Sequence, residues 1–204
     1  MVTRPYPRLI SVVIVAVAVL GAPAAASAIP PSSLIAHPSE MPGFAGAKVR
    51  LHSATTASRY AKLVLHDSSR EARKEVPKLR RQGFREGVQE LLSSSQGEAL
   101  SSAVVFHSPA AARHELKVSI AQSVKAQGGS AAIKRFTVAA IPGAFAFSAT
   151  EAGHPGGAAN VLFTTGRCFF VLGDSLKSAP PAQLRVAPTA GATALYGRVK
   201  SLCA

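Results

Sequence analysis

Between Ile133 and Leu172 the chain breaks into four short apolar runs, and this stretch restricts the fold most. The runs are Ile133–Val138, Ala144–Thr150, Ala158–Thr165 and Arg167–Leu172, each rich in aromatic or β-branched residues. Ile141-Pro142-Gly143, Gly153-His154-Pro155-Gly156-Gly157 and Thr165-Gly166 separate them. Connections this short join antiparallel neighbours, since a parallel pair needs a crossover of about a dozen residues or more. The last of them is the tightest and predicts a hairpin.

Upstream lies the clearest helical pattern. Ser108 is placed as N-cap and Pro109 at the first helical position, where a missing N–H costs nothing. Ala112, Leu116, Ile120 and Val124 recur every four residues, and Gly128-Gly129 ends the run. Before it, Phe84–Leu92 and Ala99–His107 predict a hairpin around Ser93–Glu98, with Val104, Val105 and Phe106 buried on both faces. Lys48–His52 reads as a strand. Ser53 then reads as the cap of a helix burying Ala57, Tyr60, Ala61 and Val64. Ser69–Arg81 is helical by composition, kinked or restarted at Pro77 and stopped at Gly83. A closing helical stretch covers Pro181–Leu202, interrupted at Pro188, with Leu184, Gly191, Leu195, Val199 and Leu202 inward. Residues 29–47, with Pro30, Pro31 and Pro38, form an extended lead-in whose Leu34, Met41 and Phe44 tuck against the domain. The expected fold is a single α+β domain over residues 48–204, a largely antiparallel sheet covered by helices.

The first 28 residues follow another grammar. Arg4 and Arg8 precede an uncharged run, Leu9–Leu20, apolar at every position but Ser11; Gly21 and Pro23 follow, then Ala26-Ser27-Ala28. That is the pattern of a secretory leader cut between Ala28 and Ile29. The alternative is an uncleaved anchor, which needs about 20 apolar residues and would carry Pro23 inside its span. Either reading puts the domain outside the cytoplasm, secreted or in the cell envelope. There Cys168 and Cys203, the only two cysteines, are expected to form a disulfide closing a loop of about 35 residues.

Chemistry is sparse. Gly173-Asp174-Ser175-Leu176 spells the signature of the GDSL esterases, with Ser175 in the nucleophile position. That family resemblance implies a downstream Asp-x-x-His block, but here no Asp follows Asp174 and no His follows His154. A serine nucleophile needs a base and a group to orient it, so the tetrapeptide is read as a turn after its strand. His37, His52, His66, His107, His114 and His154 show no His-x-His or His-x-x-x-His pairing, and two cysteines without paired histidines make a poor zinc site. No phosphate-binding glycine loop opens a helix. No catalytic, cofactor or metal residues are assigned.

Charge is more informative. The chain carries 23 Lys and Arg against 10 Asp and Glu, a formal net charge of +13. Arg70, Arg73, Lys74, Lys78, Arg80, Arg81 and Arg85 crowd one segment with only Glu71 and Glu75 among them. Such a face suits anionic lipid headgroups or acidic wall polymers; the plainer reading is a solvated helix face laced with weak pairs of the Glu71–Glu75–Lys78 kind. Specific nucleic-acid recognition is not expected, because no stacking aromatics interleave with these bases.

Met41-Pro42-Gly43-Phe44, Leu79-Arg80-Arg81-Gln82-Gly83-Phe84 and Val104–Arg113 resemble pieces of uncharacterised small exported proteins and lipoproteins of high-GC actinobacteria. The resemblance implies a PsbP-like α+β fold and no catalytic residues, and the chain lacks the lipid-accepting cysteine. The expected function is therefore binding and not catalysis, of an apolar small ligand or an anionic envelope component. The apolar ligand would sit in an interior pocket lined by Phe145, Phe147, Phe163, Phe169 and Phe170, whose plainer reading is that they are the packed core. An esterase using Ser175 and an interaction module using the Arg70–Arg85 face are the alternatives.

Overall fold

A computed structural model describes residues 29–64, 69–126, 131–151 and 155–204. The stretch read as a secretory leader, residues 1–28, together with His66, Gly128-Gly129 and His154, lies outside the described residues. Seven strands form one sheet: β1 (Lys48–Ala54), β2 (Phe84–Ser93), β3 (Gly97–Phe106), β4 (Ala131–Phe136), β5 (Phe145–Glu151), β6 (Gly157–Thr165) and β7 (Cys168–Leu176). Their order is β1-β2-β3-β7-β6-β5-β4. Every pairing is antiparallel. Two meanders, β1-β2-β3 and β4-β5-β6-β7, meet along the β3–β7 seam, where Ala103 faces Phe170 and Gly97 faces Leu176.

Side chains alternate across a pleated sheet, and both faces are covered. On one lie α1 (Ala57–Val64), α2 (Ser69–Arg81) and α3 (Pro109–Ala126), over Val104, Phe106, Leu162 and Phe169. On the other lie α4 (Val186–Val199) and the lead-in segment, over Val88, Leu92, Phe163, Phe170 and Leu172. The lead-in is more than an extended approach. It makes two 3-10 turns, Pro31–Leu34 and Pro38–Glu40, and buries Leu34, Ile35, Met41 and Phe44 as part of the core. We call it the strap. Arg198 of α4 grips it, pairing with Glu40 and donating to Ile35 O at 2.7 Å.

The predicted α3 is present with its cap: Ala111 N–H donates to Ser108 Oγ at 3.3 Å. Ser53, in contrast, belongs to β1, and Thr56 caps α1 by accepting from Arg59 N–H. The edge strand simply runs two residues further than its apolar pattern. α2 continues through Pro77 without a break. α4 begins at Val186, so Pro188 falls in its first turn, where no intrahelical N–H bond is lost, and the helix is uninterrupted. Leu202, expected inward, lies beyond α4 and is 41% exposed.

The disulfide joins Cys168, at the start of β7, to Cys203 with the Cα atoms 5.7 Å apart. Arg167 N–H also donates to Cys203 O at 2.8 Å. Gly166 turns there with φ +50°, and a Cβ on it would meet Cys203 O at 1.8 Å. Among the described residues no helix is long and apolar enough to cross a membrane.

Candidate functional site

The five phenylalanines expected to line one pocket are divided by the sheet. Phe163 and Phe170 stack 4.8 Å apart beneath α4, whereas Phe145, Phe147 and Phe169 belong to the opposite face. Consecutive β7 residues point to opposite sides, which separates Phe169 from Phe170. Phe169 lines a cavity.

That cavity is a cleft between the α1–α2 pair and α3. Its inner part holds about 270 Å³, floored by Leu100, Val104, Phe169 and Val171. Tyr60 builds one wall. Its ring lies directly on Gly87, where a Cβ would come within 2.2 Å of it. The Tyr60 hydroxyl sits 3.4 Å from Ser102 Oγ. Ser102 spends its single proton on Val88 O, at 3.1 Å, so Tyr60 is the donor in that pair. Burial pushes the phenol up to about 12, against the Ser102 bond and with the negative charge of Glu115 adding to the rise. It therefore stays a neutral donor. Gln89, beside them on β2, is 5% exposed, and its Oε1 has no partner among the described residues.

Outward, the cleft widens into a groove of about 700 Å³ between α2 and α3. Lys78, Arg81, His107 and His114 line it, with Gly83 and Ser108. Glu75, Glu115 and Gln122 border both inner and outer parts, so the two are continuous. Glu75 is neutralised by Lys78, with Nζ 2.5 Å from Oε1, and Glu115 accepts from Ser119 Oγ. Arg81 has no ion pair among the described residues. Arg85 reaches His107 Nδ1 at 3.1 Å. A guanidinium only donates, which places the imidazole proton on Nε2.

The seven bases singled out in the sequence thus divide. Arg70, Arg73, Lys74, Lys78, Arg80 and Arg81 are exposed on α2, and Arg85 is exposed on β2, but only Lys78 and Arg81 reach the groove.

The GDSL tetrapeptide is not a turn but the end of β7. Its ladder bonds to both β3 and β6 hold it extended. Ser175 is exposed, facing the same side as Glu98 and Ala158, while Asp174 is buried on the opposite face beside Ala99 and Ala159. No hydrogen bond links Ser175 to a base among the described residues. Likewise, no three His, Cys, Asp or Glu side chains there converge on a metal position.

No family model matches the chain, and no curated sequence matches it. Among solved structures it is similar to the extracellular domain of PknH from Mycobacterium tuberculosis. The TM-score is 0.50 at 11% identity, over 79% of this chain and 92% of that one. At that identity the likeness concerns the fold: an α+β domain built on one antiparallel sheet.

Proposed function

We propose that this chain is an extracytoplasmic binding domain that holds an anionic amphiphile in the α2–α3 cleft, its apolar part inward and its charged group toward Lys78 and Arg81. One observation carries the reading, the continuity of an apolar-floored cavity, through Glu75, Glu115 and Gln122, with an outer groove in which Lys78 pairs with Glu75 and Arg81 has no ion pair among the described residues. Pockets of this make-up, mostly apolar with few convergent polar groups, are what small-molecule sites look like. Gln89 Oε1, unpartnered among the described residues, adds a polar group to the inner lining. The leader pattern, the disulfide and the extracellular nature of the PknH domain support a place outside the cytoplasm. Binding without catalysis is the favoured reading, supported by Ser175 lying exposed on a strand paired on both sides, with no base hydrogen-bonded to it among the described residues.

Calorimetric titration with dodecyl phosphate, dodecyl maltoside and inorganic phosphate tests this. Dodecyl phosphate is expected to bind with 1:1 stoichiometry, and each half-ligand at least about tenfold more weakly, a difference of about 1.4 kcal/mol. Val171→Trp, which fills the inner cavity, should abolish binding, and Arg81→Ala should weaken it. Dodecyl phosphate binding that is absent, or indifferent to Val171→Trp, would overturn the proposal.

A further inference from the structure

On the opposite face of the sheet, Asp174 sits at the bottom of a second, smaller cavity of about 150 Å³. Four segments build it: the strap loop at Gly43 and Phe44, the β2–β3 turn at Gln96, the end of β7 at Asp174 and Leu176, and the approach to α4 at Gln183. Gly43 turns with φ +91°, and a Cβ placed on it would stand 3.5 Å from Gln96 Oε1. Gln96 is anchored in turn, its carbonyl accepting from Lys177 N–H at 3.0 Å. Phe44 and Leu176 are buried walls, and Gln96 and Gln183 are an exposed rim.

The carboxylate at the bottom is 5% exposed. Its Oδ1 accepts from Ala159 N–H at 3.2 Å, and its Oδ2 has no partner among the described residues. A buried carboxylate oxygen without a donor is costly, so a lasting one points to a donor supplied from outside the chain. Among the described residues no other charged side chain lines the cavity. Around it, Lys177 Nζ is turned to Ser95 O, Arg185 Nε to Ser148 Oγ, and Arg198 to Glu40. The volume equals about five waters at ~30 Å³ each, which suits a short organic molecule and is too little for an acyl chain.

We infer that this cavity is a site for a small primary ammonium compound, whose N–H groups meet Asp174 Oδ2 while its carbon body lies between Phe44 and Leu176. The chemistry follows from the residues: one anionic acceptor at the bottom, apolar walls, and two carboxamides at the rim for any polar group on the far end. Burial also pushes Asp174 up to about 7, against the bonds from Ala159 N–H and its own N–H. An ammonium group therefore competes with a proton for the same oxygen.

Titration of the full exported chain with propylammonium chloride tests the site, with potassium chloride and tetramethylammonium chloride in parallel. Propylammonium is expected to bind with a dissociation constant of about 1 mM or tighter at pH 8. Its affinity should fall by about tenfold per pH unit below about 7, as Asp174 takes up a proton. Asp174→Asn should weaken binding at least tenfold, whereas Ser175→Ala, on the opposite face, should leave it unchanged. Potassium and tetramethylammonium, lacking N–H donors, should not compete. Three results would overturn the assignment: no propylammonium binding at pH 8, equal binding of potassium, or an affinity independent of pH. The pH profile of the unmutated chain decides the matter even if Asp174→Asn does not fold.

Discussion

At Gly87 a single methyl group would have to share space with the Tyr60 ring, 2.2 Å away. The ring cannot retreat without giving up Ser102, so Gly87→Ala should open the α1 wall of the cleft. Overpacking of this kind costs about 1–3 kcal/mol, readable as a lower urea midpoint, and dodecyl phosphate affinity should drop with it. Asp174 makes a prediction about pH. Its value is about 7 in the folded chain against 3.8 ordinarily, so the folded state prefers the neutral carboxyl. That contribution to stability is complete below about pH 4 and is lost as pH rises through about 7. Asp174→Asn, measured against the parent by thermal unfolding without amine, should therefore compare better at pH 8 than at pH 5, by on the order of a few kcal/mol. Glu40 runs the other way. Burial raises it, but the Arg198 hydrogen bond, the His37 N–H and the charges of Arg198 and His37 outweigh that and lower it overall. The stability it contributes is lost as pH falls. At this scale the sequence showed the tetrapeptide but not its meaning. Only a pleated strand, paired on both sides, sends the aspartate and the serine to opposite faces.

The strap, α4 and the disulfide act as one element over the sheet. Phe44 is buried in the core, so Phe44→Ala should cost about 3–5 kcal/mol and also empty a wall of the Asp174 cavity. Cys203→Ser should cost about 2–4 kcal/mol and let residues 186–203 exchange amide protons before β3 and β7 do. Two freely alkylatable thiols in the unreduced protein would refute the bridge itself. Elements were legible wherever local chemistry decides them. Ser108-Pro109 marks the start of α3, and the hairpin β2–β3 shows in its alternation. They were illegible where tertiary pairing prevails. β7 runs four residues past its apolar pattern because β3 and β6 hold both its edges. β1 absorbs Ser53 because β2 pairs with it as far as Ala54.

For the whole molecule, charge and cavity make one prediction together. With a net charge of +13 and Lys78 and Arg81 at the groove, capture of an anionic amphiphile should weaken as salt rises. Binding of propylammonium behind the sheet should be less salt-sensitive, because the ion meets a buried partner. The antiparallel α+β class was readable from run lengths and breakers. The cleft was not, because its walls come from α1, α2 and α3 and its floor from β3 and β7, with Gln89 of β2 beside them. The available signal was polar Gln89 and Ser102 in the middle of apolar strands.

The β3–β7 seam sets a kinetic problem for the chain. Each meander can assemble from neighbours in sequence, but β3 must wait for a strand about 70 residues downstream, after the chain has crossed to the far edge and returned. Contacts of such separation pay their loop-closure entropy before they return any stability, and they slow folding. Ala103 and Phe170, which face each other across that seam, should therefore be the positions where truncation slows refolding more than it speeds unfolding. The β2–β3 turn should show the reverse. Until the seam closes, β3 and β7 present bare backbone edges to any neighbouring chain, so recovery on refolding should fall as protein concentration rises.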